Sequence, residues 1–334
     1  LMLNALYGAG ANRYFLYYIA PMAEAITTSG QLSVRYAAKS ENEYLNKVLK
    51  TQDIDFVVYI DTDSTYINMA PLMEKVFGTT DVDRQKAEDF LLKVCNDKLK
   101  KAIDSGYKEL AEKMGAYTNA MSMKLEKITN KSILVSKKRY VMSVLNSEGV
   151  HYAEPKISVT GLESVRSSTP KICRDKMEEA YKVFLNGNEQ DAQEFIKTFR
   201  DEFETLPADE IAKTSGTDDI QKFTDDNGWY TKGCPIHVRG AILYNKYVKD
   251  KGYSKTHELI KSGDKVKFVY LKLPNPVREN VIAFPGHLPD EFGLKDYIDH
   301  DVQFQKVFLK PLELVLDSVG WSSEKIDTIE DFFS

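Results

Sequence analysis

The run Phe56-Val57-Val58-Tyr59-Ile60-Asp61-Thr62-Asp63-Ser64-Thr65-Tyr66-Ile67 constrains this chain more than any other stretch. β-Branched and aromatic residues lead into a short polar centre and out again, which predicts two short strands around a tight turn. The turn carries Asp61 and Asp63. In extended backbone alternate residues share a face, so this spacing predicts both carboxylates on one side and Thr62 on the other. A hard divalent ion such as Mg²⁺ takes oxygen ligands, usually one or two carboxylates plus substrate phosphates. Two such ions about 3.5–4 Å apart can serve an in-line phosphoryl transfer. Asp and Ser are also ordinary turn residues, because their side chains bond nearby backbone. A strand–Asp-x-Asp-Ser–strand pattern alone is therefore more often a plain hairpin than a metal site.

At 334 residues the chain is long enough for a large core and for two domains. It has no apolar run of about 18 residues, so no transmembrane helix is expected, and no basic-then-apolar leader is read at its start. Cys95, Cys173 and Cys234 are few and far apart, which points to a reducing compartment without a disulfide framework. Cys234-Pro235-Ile236-His237 has half the spacing of a zinc site, but no second half follows, so a structural role is favoured. The formal net charge of −5 argues against nucleic acid at first. Its distribution argues the other way, because Lys124, Lys127, Lys131, Lys137, Lys138 and Arg139 gather in one segment. Lys156, Arg166, Lys171, Arg174 and Lys176 extend it, while acids collect at 290–301 and at the C-terminus.

Periodicity predicts a helix over 20–50, with Pro21 in its first turn and Tyr44, Leu45, Val48 and Leu49 at helical spacing. Gly30 inside it is read as a close approach of this helix to a sheet. A long amphipathic helix is expected over 83–114, with Phe90, Leu91, Val94, Leu99, Ile103 and Leu110 along one face. Residues 121–144 read as β-structure, because 122–128 alternate. A boundary falls at 151–156, and the chain then turns mainly helical. Ser168-Thr169-Pro170 is read as a cap with Pro170 at the first helical position, and Gly187 as that helix's end. Phe195, Phe199, Phe203 and Leu206 line a second helix that Pro207 stops. A strand is expected at 264–273 and a core helix at 300–315.

Tyr59-Ile60-Asp61-Thr62-Asp63-Ser64 resembles the YxDTDS string, motif C, of family B DNA polymerases, with Ile60 where many members have Gly. Reverse transcriptases place two adjacent Asp in such a hairpin, so the separated pair disfavours them. Leu1-Met2-Leu3-Asn4-Ala5-Leu6-Tyr7-Gly8 resembles the second half of motif B, KxxxNSLYG, with Ala5 for Ser and Gly8 available as a helix cap. Ala25-Ile26-Thr27-Thr28-Ser29-Gly30-Gln31 resembles the family's ITxxG(Q/R) palm helix. Lys137-Lys138-Arg139-Tyr140 is similar to its KKRY motif. Residues 156–170 and 234–245 resemble the thumb of the T-even-phage-like branch.

The resemblance covers essentially the whole chain and implies an α+β fold. A polymerase palm, an antiparallel sheet packed on helices, would be followed by a mainly helical thumb. Residues 1–16 would end the fingers, 17–152 form the palm, 153–323 the thumb and 324–334 a C-terminal peptide that docks on a sliding clamp. The implied reaction is DNA-templated attack of a primer 3′-OH on the α-phosphate of a dNTP, with two Mg²⁺ ions. Asp63 would ligate both ions, and Asp61 and Glu126 would complete the acidic site, Glu126 from the strand beside motif C. Asn4, Tyr7 and Thr62 would bound the nucleotide. Lys137, Lys138, Arg139 and Tyr140 would hold the primer end, where a Lys can reach minor-groove acceptors common to every base pair. Lys156, Lys171 and Arg239 are candidate phosphate contacts of primer-template DNA. Ile329, Phe332 and Phe333 would form the apolar knob that meets the clamp.

The family's motif A Asp is not found in this sequence. The chain alone is therefore expected to be inactive and to need an N-terminal polymerase half, in cis or in trans. The missing start Met favours a truncated product over a natural split. The location implied is the cytoplasm of an infected bacterial host, with no membrane partner. The competing readings are a non-catalytic module that binds primer-template and tethers it to a clamp, and another two-metal phosphotransferase or nuclease. Retention of Asp61, Asp63 and Glu126 favours chemistry.

Overall fold

The computed structural model describes residues 7–325. Contacts divide the chain into two compact units, one of 1–129 with 144–155 and one of 130–143 with 156–334. Among the described residues no helix is long and apolar enough to cross a membrane.

In the first unit residues 7–10 are helical, so Gly8 lies within a helix and not at its cap. Helix α1 (Ala20–Leu49) forms where periodicity puts it, with Pro21 in the first turn and Lys50 closing it in the left-handed conformation. Strands β1 (Val57–Asp61) and β2 (Ser64–Ile67) pair as a two-stranded sheet of their own. Helix α2 (Ala70–Phe77) follows. The expected 83–114 helix is present in three parts: α3 (Arg84–Val94), a π-turn at Cys95–Leu99, and α4 (Lys100–Lys113). The Asp83 side chain caps it by accepting from the Lys86 N–H at 3.1 Å.

Gly106 brings α1 and α4 together, because a Cβ there would overlap Ser40 Oγ. The close approach to a sheet expected at Gly30 is not found: Gly30 is exposed, and a Cβ there would meet nothing within 4 Å. Leu45, Phe56, Leu72 and Leu99 form one core cluster, and Ala37, Ile103 and Tyr107 another that Met123 packs against. Fully burying one such large side chain contributes about 1.5–3 kcal/mol.

Strands β3 (Lys127–Ser136), β4 (Arg139–Ser147) and β5 (Val150–Thr160) form a sheet in the order β3-β4-β5. The chain passes from one unit into the other within each of them. In the first unit Glu88 of α3 is 2% exposed and accepts from Arg84 Nε at 2.8 Å. Its other oxygen meets His151 Nδ1 at 2.6 Å. Arg84 also donates to the carbonyls of Tyr152 and Ala153, so a buried carboxylate is satisfied while α3 is tied to β5.

The second unit starts its helices at α5 (Lys171–Asn186). Pro170 is the N-cap there and not the first helical residue, and no side chain caps the helix. Gly187 follows, but at φ −98° it needs no left-handed freedom. Its constraint is space, since a Cβ would stand 2.6 Å from Asp191 Oδ2. That carboxylate and Asn188 form the capping box of α6 (Glu189–Phe203). A short α7 (Ala208–Ile211) leads into β6 (Lys213–Gly216), then α8 (Ile236–Asp250), β7 (Lys265–Tyr270) and β8 (Val281–Phe284). β6, β7 and β8 pair antiparallel, so the region expected to be mainly helical contains a three-stranded sheet.

Helix α8 lies on β8 at Gly240, where a Cβ would be 2.8 Å from the Ala283 nitrogen. α9 (His300–Phe304), a second π-turn at Gln305–Leu309, and α10 (Lys310–Val319) close the unit. Phe199, Phe203, Phe304 and Phe308 stack in its core, the Phe199 and Phe308 ring centres 4.6 Å apart and edge-on. Cys95, Cys173 and Cys234 are free.

Candidate active site

Asp61 is the last residue of β1 and Ser64 the first of β2, and the two face each other across the hairpin. Thr62 and Asp63 make the turn between them, with the Asp63 N–H donating to the Asp61 carbonyl at 2.7 Å. Thr62 stands at φ +58°, a conformation that β-branched residues rarely adopt. The extended run assumed from sequence is therefore broken at Thr62, and strand alternation does not govern where Asp63 points. The Thr62 hydroxyl donates to Asp61 Oδ1 at 3.0 Å, and Ser64 Oγ lies 3.4 Å from Asp63 Oδ1. Asp61 is half-buried, while Thr62 and Asp63 are exposed. A β-hairpin thus presents carboxylate oxygens at its tip.

Helix α1 holds this hairpin by residues that sequence reasoning missed. Asn42 Oδ1 accepts from the Phe56 N–H at 2.8 Å, and its Nδ2 donates to Asp55 Oδ1 at 2.7 Å. Asn46 does the same to Ile54, donating to its carbonyl at 2.8 Å and accepting from its N–H at 3.2 Å. Beside them Glu41 is 1% exposed. Its Oε1 accepts from the Thr65 hydroxyl of β2 at 2.9 Å, and its Oε2 has no hydrogen-bond partner among the described residues. Burial pushes the Glu41 carboxyl up to about 7, against a smaller opposing pull from the Thr65 hydroxyl. Cys95 and Tyr107 border it, each raised by its own burial first and by Glu41's charge second. The available signal was polar residues four apart, Asn42 and Asn46, among the apolar positions of one helix.

Glu126 is not on a strand. It is the exposed residue just before β3, and β3 pairs with neither β1 nor β2. Its carbonyl accepts from the Glu148 N–H at 2.7 Å. The segment leading to it does run beside the hairpin, since Thr65 Oγ1 is 3.8 Å from Met123 Sδ. Among the described residues no group of three or more His, Cys, Asp or Glu side chains is gathered so that it could hold a metal ion. Asp61 and Asp63 still have the chemistry Mg²⁺ requires, because two carboxylates completed by substrate phosphates are a usual donor set.

The basic segment also folds as a hairpin tip. Lys137 and Lys138 form the turn between β3 and β4, Lys138 at φ +60°, and both are exposed. Arg139 opens β4 and is half-buried, and Tyr140 is 8% exposed. Lys156 is exposed on β5, and Lys171 is exposed at the first residue of α5. Arg239 is engaged within its unit: Nη2 donates to Asn280 Oδ1 at 2.6 Å, and the guanidinium lies 5.3 Å from the Tyr230 ring centre. Tyr7 is 38% exposed. Asn4, Ile329, Phe332 and Phe333 lie outside the described residues.

Residues 1–287 match the profile of DNA polymerase family B. The chain is 35% identical to a DNA-directed DNA polymerase of Enterobacteria phage T4 over 349 aligned positions, covering all of this chain and 38% of that relative. It is 34% identical to a DNA-directed DNA polymerase of Escherichia phage RB69 over 345 positions, again all of this chain and 38% of the relative. The chain thus spans well under half the length of the curated relatives it matches.

Proposed function

The chain belongs to DNA polymerase family B, and from that membership we propose that it supplies the motif C portion of a polymerase active site. The reaction is templated addition of a dNTP to a primer 3′-OH, with release of pyrophosphate. The observation that carries this reading is the β1–β2 hairpin, a tight turn that offers Asp61 and Asp63 at its tip. Asp61 and Asp63 would hold Mg²⁺, with Glu126 in a supporting place. Bound with the nucleotide's phosphates, Mg²⁺ supplies charge neutralisation and an activated primer hydroxyl.

The chain's own residues bind and orient. Asn4, Tyr7 and Thr62 bound the incoming nucleotide. Lys137, Lys138 and Tyr140 hold the primer end. Lys156, Lys171 and Arg239 contact backbone phosphates, which strengthens binding without reading sequence. In this reading 17–152 are palm, 153–323 thumb, and Ile329, Phe332 and Phe333 the knob that engages a sliding clamp. The other carboxylate of the acidic site comes from a further polymerase segment, and this chain alone does not extend primers. The phage origin of both relatives supports a place of action in an infected bacterial cell.

Mg²⁺-dependent primer extension tests this, with the chain alone and combined with the remaining polymerase portion. Extension is expected only in the combination and is expected to be lost in Asp63→Ala. A combination that binds primer-template stably but never extends it supports the non-catalytic module instead. Undiminished extension by Asp63→Ala overturns the assignment.

A further inference from the structure

The Lys137–Lys138 tip is braced by the segment that follows β5. Gly161 sits at φ +66°, and a Cβ there would overlap the Lys138 carbonyl oxygen and stand 3.2 Å from Arg139 Cγ. Only glycine lets the backbone come so near the turn. Glu163 then opens a 3₁₀ turn (Glu163–Val165), and its Oε2 accepts from Arg139 Nη2 at 3.0 Å. The Arg139 and Glu163 side chains are 27% and 21% exposed, so salt screens this pair less than a surface pair. Glu163 Oε1 also lies 3.7 Å from Arg166 Nη1. Arg139 Nε is itself buried and has no hydrogen-bond partner among the described residues, so the Glu163 contact is made through Nη2.

We infer that Arg139 is a positioning residue and not a DNA contact: with Glu163 and Gly161 it fixes the backbone of the Lys137–Lys138 turn in the orientation that presents both ammonium groups to the primer end. The inference rests on the reading of that turn given above. Two adjacent lysines repel, and a non-glycine residue at positive φ is strained. An unbraced turn would relax and spread the two charges. The brace holds both on one short, exposed tip.

Primer-template affinity of the full chain, followed by fluorescence anisotropy across a salt series, tests this with two opposed expectations for Glu163→Gln. Plain electrostatics makes binding tighter, because a negative charge near DNA is removed. Positioning makes it weaker, by about tenfold, the middle of the range for coupled neighbours. Under the inference, Arg139→Met with Glu163→Gln is no weaker than Arg139→Met alone, and the exchanged pair Arg139→Glu with Glu163→Arg regains most of the affinity. Proteins are compared at equal folded fraction by circular dichroism. Binding by Glu163→Gln that is unchanged or tighter overturns the inference, as do additive single effects or an exchanged pair that stays weak. Lys138→Ala separates the two levels. Unchanged affinity there removes the primer contact and the inference with it. Loss there, with Glu163→Gln unaltered, overturns the inference alone.

Discussion

The β1–β2 hairpin carries Asp61 and Asp63 at its tip, and the β3–β4 hairpin carries Lys137 and Lys138. Both tips are two-residue turns, and both contain a non-glycine residue in the left-handed region, Thr62 at +58° and Lys138 at +60°. They belong to different compact units and are held by different means. The acidic hairpin stands on side-chain amides and on Glu41, a carboxyl so buried that it titrates near neutrality. The basic tip stands on an ion pair and a glycine. An acidic tip gains nothing from a further negative charge beside it, whereas Glu41 in its protonated form holds Thr65 without adding one. A basic tip can be braced by a carboxylate, which offsets its self-repulsion. The first support is therefore sensitive to pH near neutrality, whereas the second is an ion pair largely withdrawn from solvent.

The largest effect expected from breaking this contrast is at the basic tip. Gly161→Ala combines positive φ with overlap against the Lys138 carbonyl, and should cost about 3–4 kcal/mol in urea unfolding. A cost below about 1 kcal/mol would mean the close approach carries little.

The next effect sharpens the acidic side. Glu41's carboxyl is raised in the folded state from 4.5 to about 7. The folded protein therefore binds more protons than the unfolded chain between those values, and the contribution, complete below about 4.5, is lost as pH rises through about 7. Its size is about 3 kcal/mol, because each tenfold change in proton affinity is worth about 1.4 kcal/mol. Glu41→Gln should remove this part of the pH dependence of the urea midpoint, while Glu163→Gln should leave it in place.

The smallest effect compares the turns directly. Glycine relieves left-handed strain but raises the entropy of the unfolded chain. Thr62→Gly should stabilise by about 0.5–1 kcal/mol and Lys138→Gly by less, because the β-branched side chain is the more strained there. Thermal midpoints of the two variants give the ranking, and the reverse order would remove the strain argument.

The acidic hairpin was legible in sequence because β-branched and aromatic residues flank a polar centre, a strictly local pattern. The α1 helix was legible for a similar reason, in Tyr44, Leu45, Val48 and Leu49. What was not legible depends on distant partners. Residues 122–128 alternate like a strand, yet the chain before Lys127 is irregular, and Met123 packs against a helical cluster instead. Gly30 and Gly106 look alike in sequence, and only the packing of α1 on α4 decides which one needs to be glycine. Glu41 reads as a solvated helix residue until Thr65 and the hairpin cover it. Thr62 gives no warning of its backbone conformation, which breaks the alternation on which the common face of Asp61 and Asp63 was argued.

The π-turn at Cys95–Leu99 gives the helix that contains it a fixed phase. Apolar positions before it, Phe90 and Val94, are four apart, and so are Leu99, Ile103 and Tyr107 after it, but the step from Val94 to Leu99 is five. On an uninterrupted α-helix each extra residue turns everything downstream by about 100°. The π-turn takes up that residue and keeps both halves facing inward. This stretch therefore counts its residues. Deleting the exposed Asp97 removes no contact from the core, yet it would rotate Ile103, Gly106 and Tyr107 together away from α1 if the helix closed into regular α form. A conservative substitution anywhere in the turn is mild by comparison. Along this helix an exchange of residues should therefore be better tolerated than a change of length.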